Sequence, residues 1–363
     1  MKILIIEPFF TGSHKKWAEE YQEKSKHEIK ILSLPGRFWK WRMHGAAITL
    51  AKRYRKLNFS PNLIITTDML NLPVFQSLIN PTCPIVMYFH ENQFTYPWSP
   101  DDKDVELNRD KHYGFINYSS ALSAHHIYFN SQFHLDSFFN GLEIFLKQFP
   151  DYREMQNIDL IKKKSSVLHL GLDLKKFDKF ISKKSNEEPI ILWNHRWEYD
   201  KNPELFFETL QKISKQGSNF KLVVLGEEFT NELSCFTQAK NSLKKHILQF
   251  GYATSFNEYA NWLWKADILP VTSEQDFFGG SIIEAVYCNN IPLLPNRLTY
   301  PELFNYKNNS NLFYENKNDL LAKLDYSINN FNNLKQQKHQ MNTKKFDWRY
   351  MVRHYDDTFE KFI

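Results

Sequence analysis

Short runs rich in β-branched and aromatic residues alternate along the whole chain with stretches of helical period, and no other feature restricts the fold as much. Strands spaced in this way cannot pair through tight hairpins. They form parallel sheets whose neighbouring strands are joined by crossover helices. The predicted strands of the first half are Lys2–Ile6, Glu28–Leu32, Leu63–Thr66, Ile85–Phe89, Ile127–Phe129 and Ser166–Leu168. Strands resume at Ile190–Trp193, Lys221–Val224, Ile247–Phe250, Ile268–Val271 and Ile291–Leu294. Between the halves, Lys175 to Glu188 is a run of Lys, Ser, Asn and Glu that reads as a linker unable to pack a core. The expectation is α/β: a doubly wound domain over residues 1–174, a linker at 175–188 and a second such domain over 189–346. The amphipathic segment 347–363 is expected to be a helix packing back on the first domain. Asn305 to Asp319, rich in Asn and Lys, reads as a surface loop. Ligands of such sheets bind at the carboxyl ends of the strands, and two sheets joined by a linker would present those ends to a shared cleft.

Composition narrows the setting. With 42% hydrophobic and 24% charged residues the chain reads as soluble and globular, and a net charge of +5 permits an anionic partner without demanding one. No run reaches the roughly 18 apolar residues of a spanning helix, and Met1 to Glu7 is too short for a signal sequence. Cys83, Cys235 and Cys288 are odd in number and far apart, which suits neither a disulfide framework nor a Cys-x-x-Cys metal clip. The expectation is a cytoplasmic protein with no stable membrane association. Aromatic residues make up 16%, so some rings are candidates for stacking surfaces, with core as the default.

The polar motifs fall where strands end. Ile268 to Val271 runs into Asp276-Phe277-Phe278-Gly279-Gly280 and then a helix carrying Glu284. Adjacent glycines leave backbone N–H groups uncovered, a helix start adds partial positive charge, and ionised carboxylates accept hydrogen bonds from hydroxyls. The segment therefore suits a nucleotide-sugar, with Gly279 and Gly280 at the diphosphate, Asp276 on the sugar and Glu284 on the ribose; a plain capped turn is the alternative. After Trp193, Arg196 and Lys201 bracket a loop in which two fixed cations could neutralise a leaving diphosphate. Gly226 and Gly251-Tyr252 are weaker strand-to-glycine stops that could offer main-chain contacts to a nucleoside, with Tyr252 beside the base. In the first half Gly12 follows β-rich Ile3 to Ile6 and would let backbone approach a sugar-phosphate, while His90 ends another strand and could hydrogen-bond the transferred sugar. Asp101-Asp102 reads as a water-facing polar loop, and no metal is expected. From Arg37 to Lys56 there are seven basic residues, at 37, 40, 42, 52, 53, 55 and 56, no acidic one, and indoles at Trp39 and Trp41. Cations grip phosphates and rings stack on splayed bases, so Arg37, Trp39, Lys40, Trp41, Arg42, Arg53 and Arg55 read as an RNA-binding segment, against the alternative of a solvated basic helix over buried tryptophans.

Together these residues resemble the retaining GT-B glycosyltransferases of the GT4 group over nearly the whole chain. Asp276-x7-Glu284 has the spacing of that group's Glu-x7-Glu, with Asp at the first position. Arg196-x4-Lys201 is similar to its diphosphate clamp, and His169-Leu170-Gly171-Leu172-Asp173 through Phe177 to its Asn-Gly-Val-Asp-x3-Phe segment. A narrower likeness lies in Glu7-Pro8-Phe9-Phe10-Thr11-Gly12-Ser13-His14-Lys15, Gly36-Arg37-Phe38-Trp39-Lys40-Trp41-Arg42, His90-Glu91-Asn92-Gln93, Trp193-Asn194-His195-Arg196 and Phe277-Phe278-Gly279-Gly280. These resemble the tRNA-queuosine α-mannosyltransferase family. That resemblance implies the GT-B fold, GDP-mannose as donor, queuosine at the wobble position of an aspartate tRNA as acceptor, and no cofactor. It also implies Asn194, Phe277 and Phe278 as donor contacts and His14 and Lys15 as tRNA contacts. Two other readings compete: a GT4 enzyme acting on a lipid or polysaccharide precursor, its basic segment meeting an anionic membrane, and a non-catalytic RNA-binding protein with a vestigial nucleotide site.

Overall fold

Ile3 to Ile6 are buried on both faces of the first strand, β1 (Lys2–Phe10), which is how a strand in the middle of a parallel sheet must read. The structure is a computed structural model describing residues 1–99, 102, 104, 111–182, 186–226, 234–334 and 341–363. Its chain forms two units, Met1–Asp173 with Phe346–Ile363, and Leu174–Lys345.

In the first unit β1 is joined by β2 (Glu28–Pro35), β3 (Leu63–Thr67), β4 (Ile85–Phe89), β5 (His126–Phe129) and β6 (Ser165–Val167), in the spatial order β2-β1-β3-β4-β5-β6, every pair parallel. Up to Asp173 its helices of eight or more residues, among the described residues, are α1 (Gly12–Lys24), α2 (Trp39–Tyr54), α3 (Leu72–Ile79), α4 (Lys111–Ser123), α5 (Gln132–Lys147) and α6 (Gln156–Lys163). Side-chain caps set several starts: Asn71 accepts from Val74 N–H and Ser131 from His134 N–H.

The second unit repeats the plan with β7 (Ile190–Trp193), β8 (Lys221–Val224), β9 (Ile247–Phe250), β10 (Ile268–Pro270), β11 (Ile291–Pro295) and β12 (Phe313–Tyr314), ordered β12-β11-β10-β7-β8-β9 and again parallel. Between them lie α7 (Pro203–Lys215), α8 (Ser234–Ser242), α9 (Phe256–Lys265) and α10 (Gly280–Tyr287), and α11 (Lys317–Asn329) follows β12. Trp193 sits fully buried against Phe206, Phe207 and Phe236, so much of the aromatic content is core.

The last helix, α12 (Trp348–Phe359), lies on α1 of the first unit. Asp356 accepts from Tyr21 Oη (2.9 Å), Ser25 Oγ (2.6 Å) and Lys26 N–H (3.1 Å), and Tyr355 Oη accepts from Trp17 Nε1 and donates to His169 O.

The predicted α/β class stands, and Ile85–Phe89, Ile190–Trp193, Lys221–Val224 and Ile247–Phe250 are strands at the predicted residues. Three readings need correction. Asn305 to Asp319 is not simply a surface loop: it contains β12, and Leu312, Phe313 and Tyr314 are buried, an edge strand of two residues being too short to show through the Asn and Lys around it. The segment read as linker begins with a 3-10 turn, Lys175–Phe180, whose Phe177 is buried in the second unit and whose Phe177 carbonyl accepts from Trp264 Nε1. Residues 183–185 of that segment lie outside the described residues. Asp102 does not face water but pairs with Lys40 at 2.6 Å; Asp101 lies outside the described residues.

Candidate active site

In the second unit the chain runs from β7 to β8 and β9 on one side, then returns to place β10 and β11 on the other. The order therefore reverses between β7 and β10, and loops leaving adjacent strands at such a point diverge and open a crevice. The loops after these two strands carry Asn194 to Lys201 and Val271 to Gly280.

Lys201 is the electrostatic centre of this pair of loops. Its side chain is nearly buried, its Nζ donates to the Gln275 carbonyl at 2.6 Å, and the carboxylates of Asp200 and Asp276 lie 3.1 and 3.5 Å away. The other oxygen of Asp276 accepts from Tyr300 Oη at 2.7 Å. Asp276 is thus fixed between a cation and a hydroxyl, with 17% of its side chain exposed for a ligand. Gly279 takes the left-handed conformation, φ 73°, at the start of α10, and a Cβ there would lie 3.2 Å from Ile282 Cδ1 and 3.3 Å from the Tyr300 ring, so glycine serves both backbone and space.

Glu284, Tyr259 and Asn194 form a second group. Tyr259 Oη donates to Glu284 Oε2 at 2.9 Å, and Asn194 Nδ2 donates to the Ser281 carbonyl at 2.8 Å and lies 3.5 Å from Tyr259 Oη. This ties the end of β7 to the first turn of α10. The Asn194 Oδ1 is buried without a hydrogen-bond partner among the described residues.

Arg196 is more exposed than Lys201 and is held by Glu198 through its guanidinium, at 3.0 and 3.2 Å. Lys201 and Arg196 nevertheless act on one buried neighbour. Burial first, then Lys201 and Arg196, press the His195 imidazole down to about 4, against Asp276, which raises it. The two cations predicted as a clamp therefore share His195 as an electrostatic neighbour. Phe277 and Phe278 are buried. Gly226 adopts φ 132°, and a Cβ there would fall 2.0 Å from the His195 carbonyl oxygen, so this glycine has a packing reason independent of any nucleoside. Tyr252 is 64% exposed and follows β9, the edge strand, away from the β7–β10 crevice.

The first unit has its own reversal between β1 and β3, and here Glu7, His14, Asp68 and His90 come together. The register of β1 against β2 shifts between Glu7 and Phe10, and Phe9 N–H donates back to Glu7 Oε1 at 2.8 Å. The other oxygen of Glu7 is 3.0 Å from His14 Nδ1, on the first turn of α1, with both side chains buried. Burial opposes charge on His14, but Glu7, with Asp68 and Glu91 behind it, prevails and lifts the imidazole to about 9. The His14 ring lies 4.1 Å from that of His90, whose own pKa is driven well below 6.5 by burial and then by His14 and His134. His90 N–H donates to Asp68 Oδ1 at 2.8 Å, yet both ring nitrogens of His90 are buried with no hydrogen-bond partner among the described residues. A neutral imidazole in that state suits a sugar hydroxyl, which can both donate and accept. Burial raises Asp68 to about 8. Glu7, His14 and His90 offer ligand atoms within 4.8 Å of one another and are the group among the described residues that could take a metal ion, although Glu7 and His14 already satisfy each other. Gly12 is exposed at the start of α1.

The basic aromatic segment separates into two kinds of residue. Trp39 packs on Tyr113 and Trp98, with ring centroids 4.9 and 6.0 Å away, and Lys40 is gripped by Asp102 and Asp104. His14 is buried against Glu7, so neither it nor Lys40 is the exposed cation that an RNA phosphate needs. Lys15, Arg37, Trp41, Arg53 and Arg55 are exposed, and Arg42 is half-buried with Nε on the Pro35 carbonyl; Arg53 and Arg55 donate to the Ser33 and Leu78 carbonyls. Sequence reasoning missed Tyr259, Tyr300 and Asp200. Each looks like an ordinary helix or loop residue until the fold brings it to Glu284, Asp276 or Lys201.

Residues 2–172 match the family described as tRNA-queuosine alpha-mannosyltransferase N-terminal, and residues 175–345 that described as glycosyl transferases group 1. Among solved structures, sucrose-phosphate synthase from Thermosynechococcus elongatus is similar with a TM-score of 0.72 at 12% identity, over 99% of each chain. A glycosyltransferase from Rickettsia africae gives 0.68 at 17%, over 99% of this chain and 98% of that one. Both likenesses show the fold, which is GT-B. A tRNA-queuosine alpha-mannosyltransferase from Drosophila melanogaster is 31% identical over 380 residues, covering 99% of this chain and 97% of the relative. An identity of that level sustained from end to end shows that the chain belongs to the tRNA-queuosine alpha-mannosyltransferase family.

Proposed function

We propose that this protein transfers mannose from GDP-mannose, with retention of the α configuration, to a hydroxyl of the cyclopentenediol of queuosine at the anticodon wobble position of tRNA(Asp). The observation that carries the reading is the end-to-end likeness to the Drosophila tRNA-queuosine alpha-mannosyltransferase. The β7–β10 crevice supports it with a cation and two carboxylates set for a sugar diphosphate.

The chemistry follows from those residues. Breaking the sugar–phosphate bond leaves negative charge on the diphosphate and an oxocarbenium-like sugar. Lys201 and Arg196 stabilise the departing charge, helped by the N–H groups at Gly279 and Gly280, and no metal ion is required. Asp276 accepts from the sugar hydroxyls and Glu284 from the ribose, their carboxylates held by Tyr300 and Tyr259. Asn194, Phe277 and Phe278 shape the donor site of the second unit; in the first unit the His90 ring, both nitrogens buried with no hydrogen-bond partner among the described residues, suits a sugar hydroxyl, and exposed Gly12 leaves backbone open at the start of α1. Gly226 and Tyr252 are assigned no such part: the first is explained by packing, and the second lies at the sheet edge. We place the reaction in the cytoplasm, a reading supported by three cysteines that remain thiols. No helix among the described residues is long and apolar enough to cross a membrane.

The test offers radiolabelled GDP-mannose and UDP-glucose with tRNA from queuosine-containing and queuosine-deficient cells. Label should enter tRNA only from GDP-mannose and only when queuosine is present. Equal labelling of both tRNA pools, or transfer into a lipid fraction instead, would refute the proposal.

A further inference from the structure

Most rings of this aromatic-rich chain are buried, but two neighbours in the first unit are not. Phe38 is 76% exposed and Trp41 64% exposed. Their exposure is built in rather than incidental. Trp39 and Lys40 between them are anchored inward, on Tyr113 and Trp98 and on Asp102 and Asp104, and Met43 is fully buried. With those residues fixed, Phe38 and Trp41 have to face out. Phe38 holds φ 55°, a left-handed conformation that a bulky L-residue rarely adopts, and such strain persists where the surroundings over-determine it, as they often do at functional sites. Trp41 is seated on Gly45 one helical turn on, where a Cβ would come within 2.9 Å of the indole. Glycine there leaves room for the ring to rest against the helix.

The stretch of chain that carries these rings is basic, its nearest carboxylates, Asp102 and Asp104, being taken up by Lys40. From Ile29 to Thr67 the sequence holds no Asp or Glu, and its basic residues include Arg37, Arg42, Lys52 and Arg53. Arg37, Lys52 and Arg53 are exposed. Solvent-facing rings among cations match single-stranded nucleic acid, which presents unstacked bases and phosphates together. A lipid surface would be met better by a continuous aliphatic face, and the exposed aliphatic residue beside these rings on α2 is Ile48.

We propose that Phe38 and Trp41 form a stacking platform for two unpaired bases of the acceptor RNA's anticodon loop, with Arg37 and Arg42 at the flanking phosphates. This rests on the proposed tRNA function and specifies where the RNA is held. It keeps Trp41 in the RNA-binding role expected of it, adds Phe38, and leaves Trp39 and Lys40 as the anchor.

The test measures binding of a fluorescent anticodon stem-loop to the full-length protein and, separately, mannosyl transfer to queuosine-containing tRNA. Phe38→Ala and Trp41→Ala should each weaken binding by about 5- to 150-fold, the range for loss of one base stack. Trp41→Phe should stay near wild type, Gly45→Ala should weaken binding by displacing the indole, and thermal stability of the ring variants should be unchanged. Arg37→Gln should lower the salt dependence by about 0.7 in log–log slope. Binding within twofold of wild type in the Phe38→Ala/Trp41→Ala double variant overturns the platform, and if wild type still transfers mannose the functional reading survives. Loss of binding to anionic lipid vesicles instead of RNA in that variant also overturns it. Platform-dependent RNA binding without any transfer would uphold the platform and remove the mannosyltransferase reading.

Discussion

Replacing Glu7 by Gln removes the carboxylate that keeps a buried imidazolium in the first unit. Burial works against charge on His14, and Glu7 at 3.0 Å overcomes it, so the folded protein holds this proton to about pH 9 where an ordinary histidine loses it near 6.5. At about 1.4 kcal/mol per pH unit, the difference amounts to roughly 3 kcal/mol of stability. Because the folded pKa is the higher one, that stabilisation is fully present below pH 6.5 and is lost as pH rises through about 9. Asp68 titrates across part of the same window: burial raises it from 3.8 to about 8, so it too stabilises at low pH and loses its contribution upward. The decisive quantity is therefore the wild-type minus Glu7→Gln difference, measured also in an Asp68→Asn background whose amide oxygen can still accept from His90 N–H. Urea unfolding should give a difference of about 3 kcal/mol near pH 6, shrinking to under about 1 kcal/mol above pH 9. A difference that is the same at both pH values would refute the buried ion pair.

Other outcomes follow from the second unit. Lys201→Ala should lower mannosyl transfer by about 10²- to 10³-fold, as loss of a transition-state charge partner does, with the fold retained by circular dichroism; near-normal turnover would remove Lys201 from the chemistry. Tyr259→Phe frees Glu284 of its 2.9 Å hydrogen bond and should cost about 1 kcal/mol in donor affinity, read by calorimetric titration with GDP-mannose; unchanged affinity would show that the bond holds no donor contact in place. Gly226→Ala forces a Cβ to within 2.0 Å of the His195 carbonyl and should destabilise by about 2 kcal/mol or more, visible as a lower melting temperature. An unchanged melting temperature would mean the loop shifts freely.

The fold was legible because parallel strands buried on both faces write themselves as continuous apolar runs, as in Lys2 to Ile6 and Ile268 to Val271. What escaped was whatever depends on one or two residues. Phe177 draws the start of a polar segment into a core, and Phe313-Tyr314 makes an edge strand inside an Asn-rich stretch. In the site, sequence spacing brought Lys201 and Asp276 forward, and the structure sets them 3.5 Å apart. It gave no hint of Tyr259 or Tyr300, since the hydroxyls that orient the two carboxylates come from distant helices. The basic segment shows the opposite limit. Composition marked the region, but only packing separates Trp39 and Lys40, which are anchored inward, from Phe38 and Trp41, which face solvent.

The central claim is tested most directly by nucleoside mass spectrometry of queuosine-containing tRNA after incubation with the purified protein and GDP-mannose. The account predicts that queuosine gains the mass of one hexose, that the new linkage is α, and that tRNA lacking queuosine is unchanged. Queuosine left unmodified while the same preparation binds GDP-mannose, or a hexose found on any other nucleoside, would contradict it.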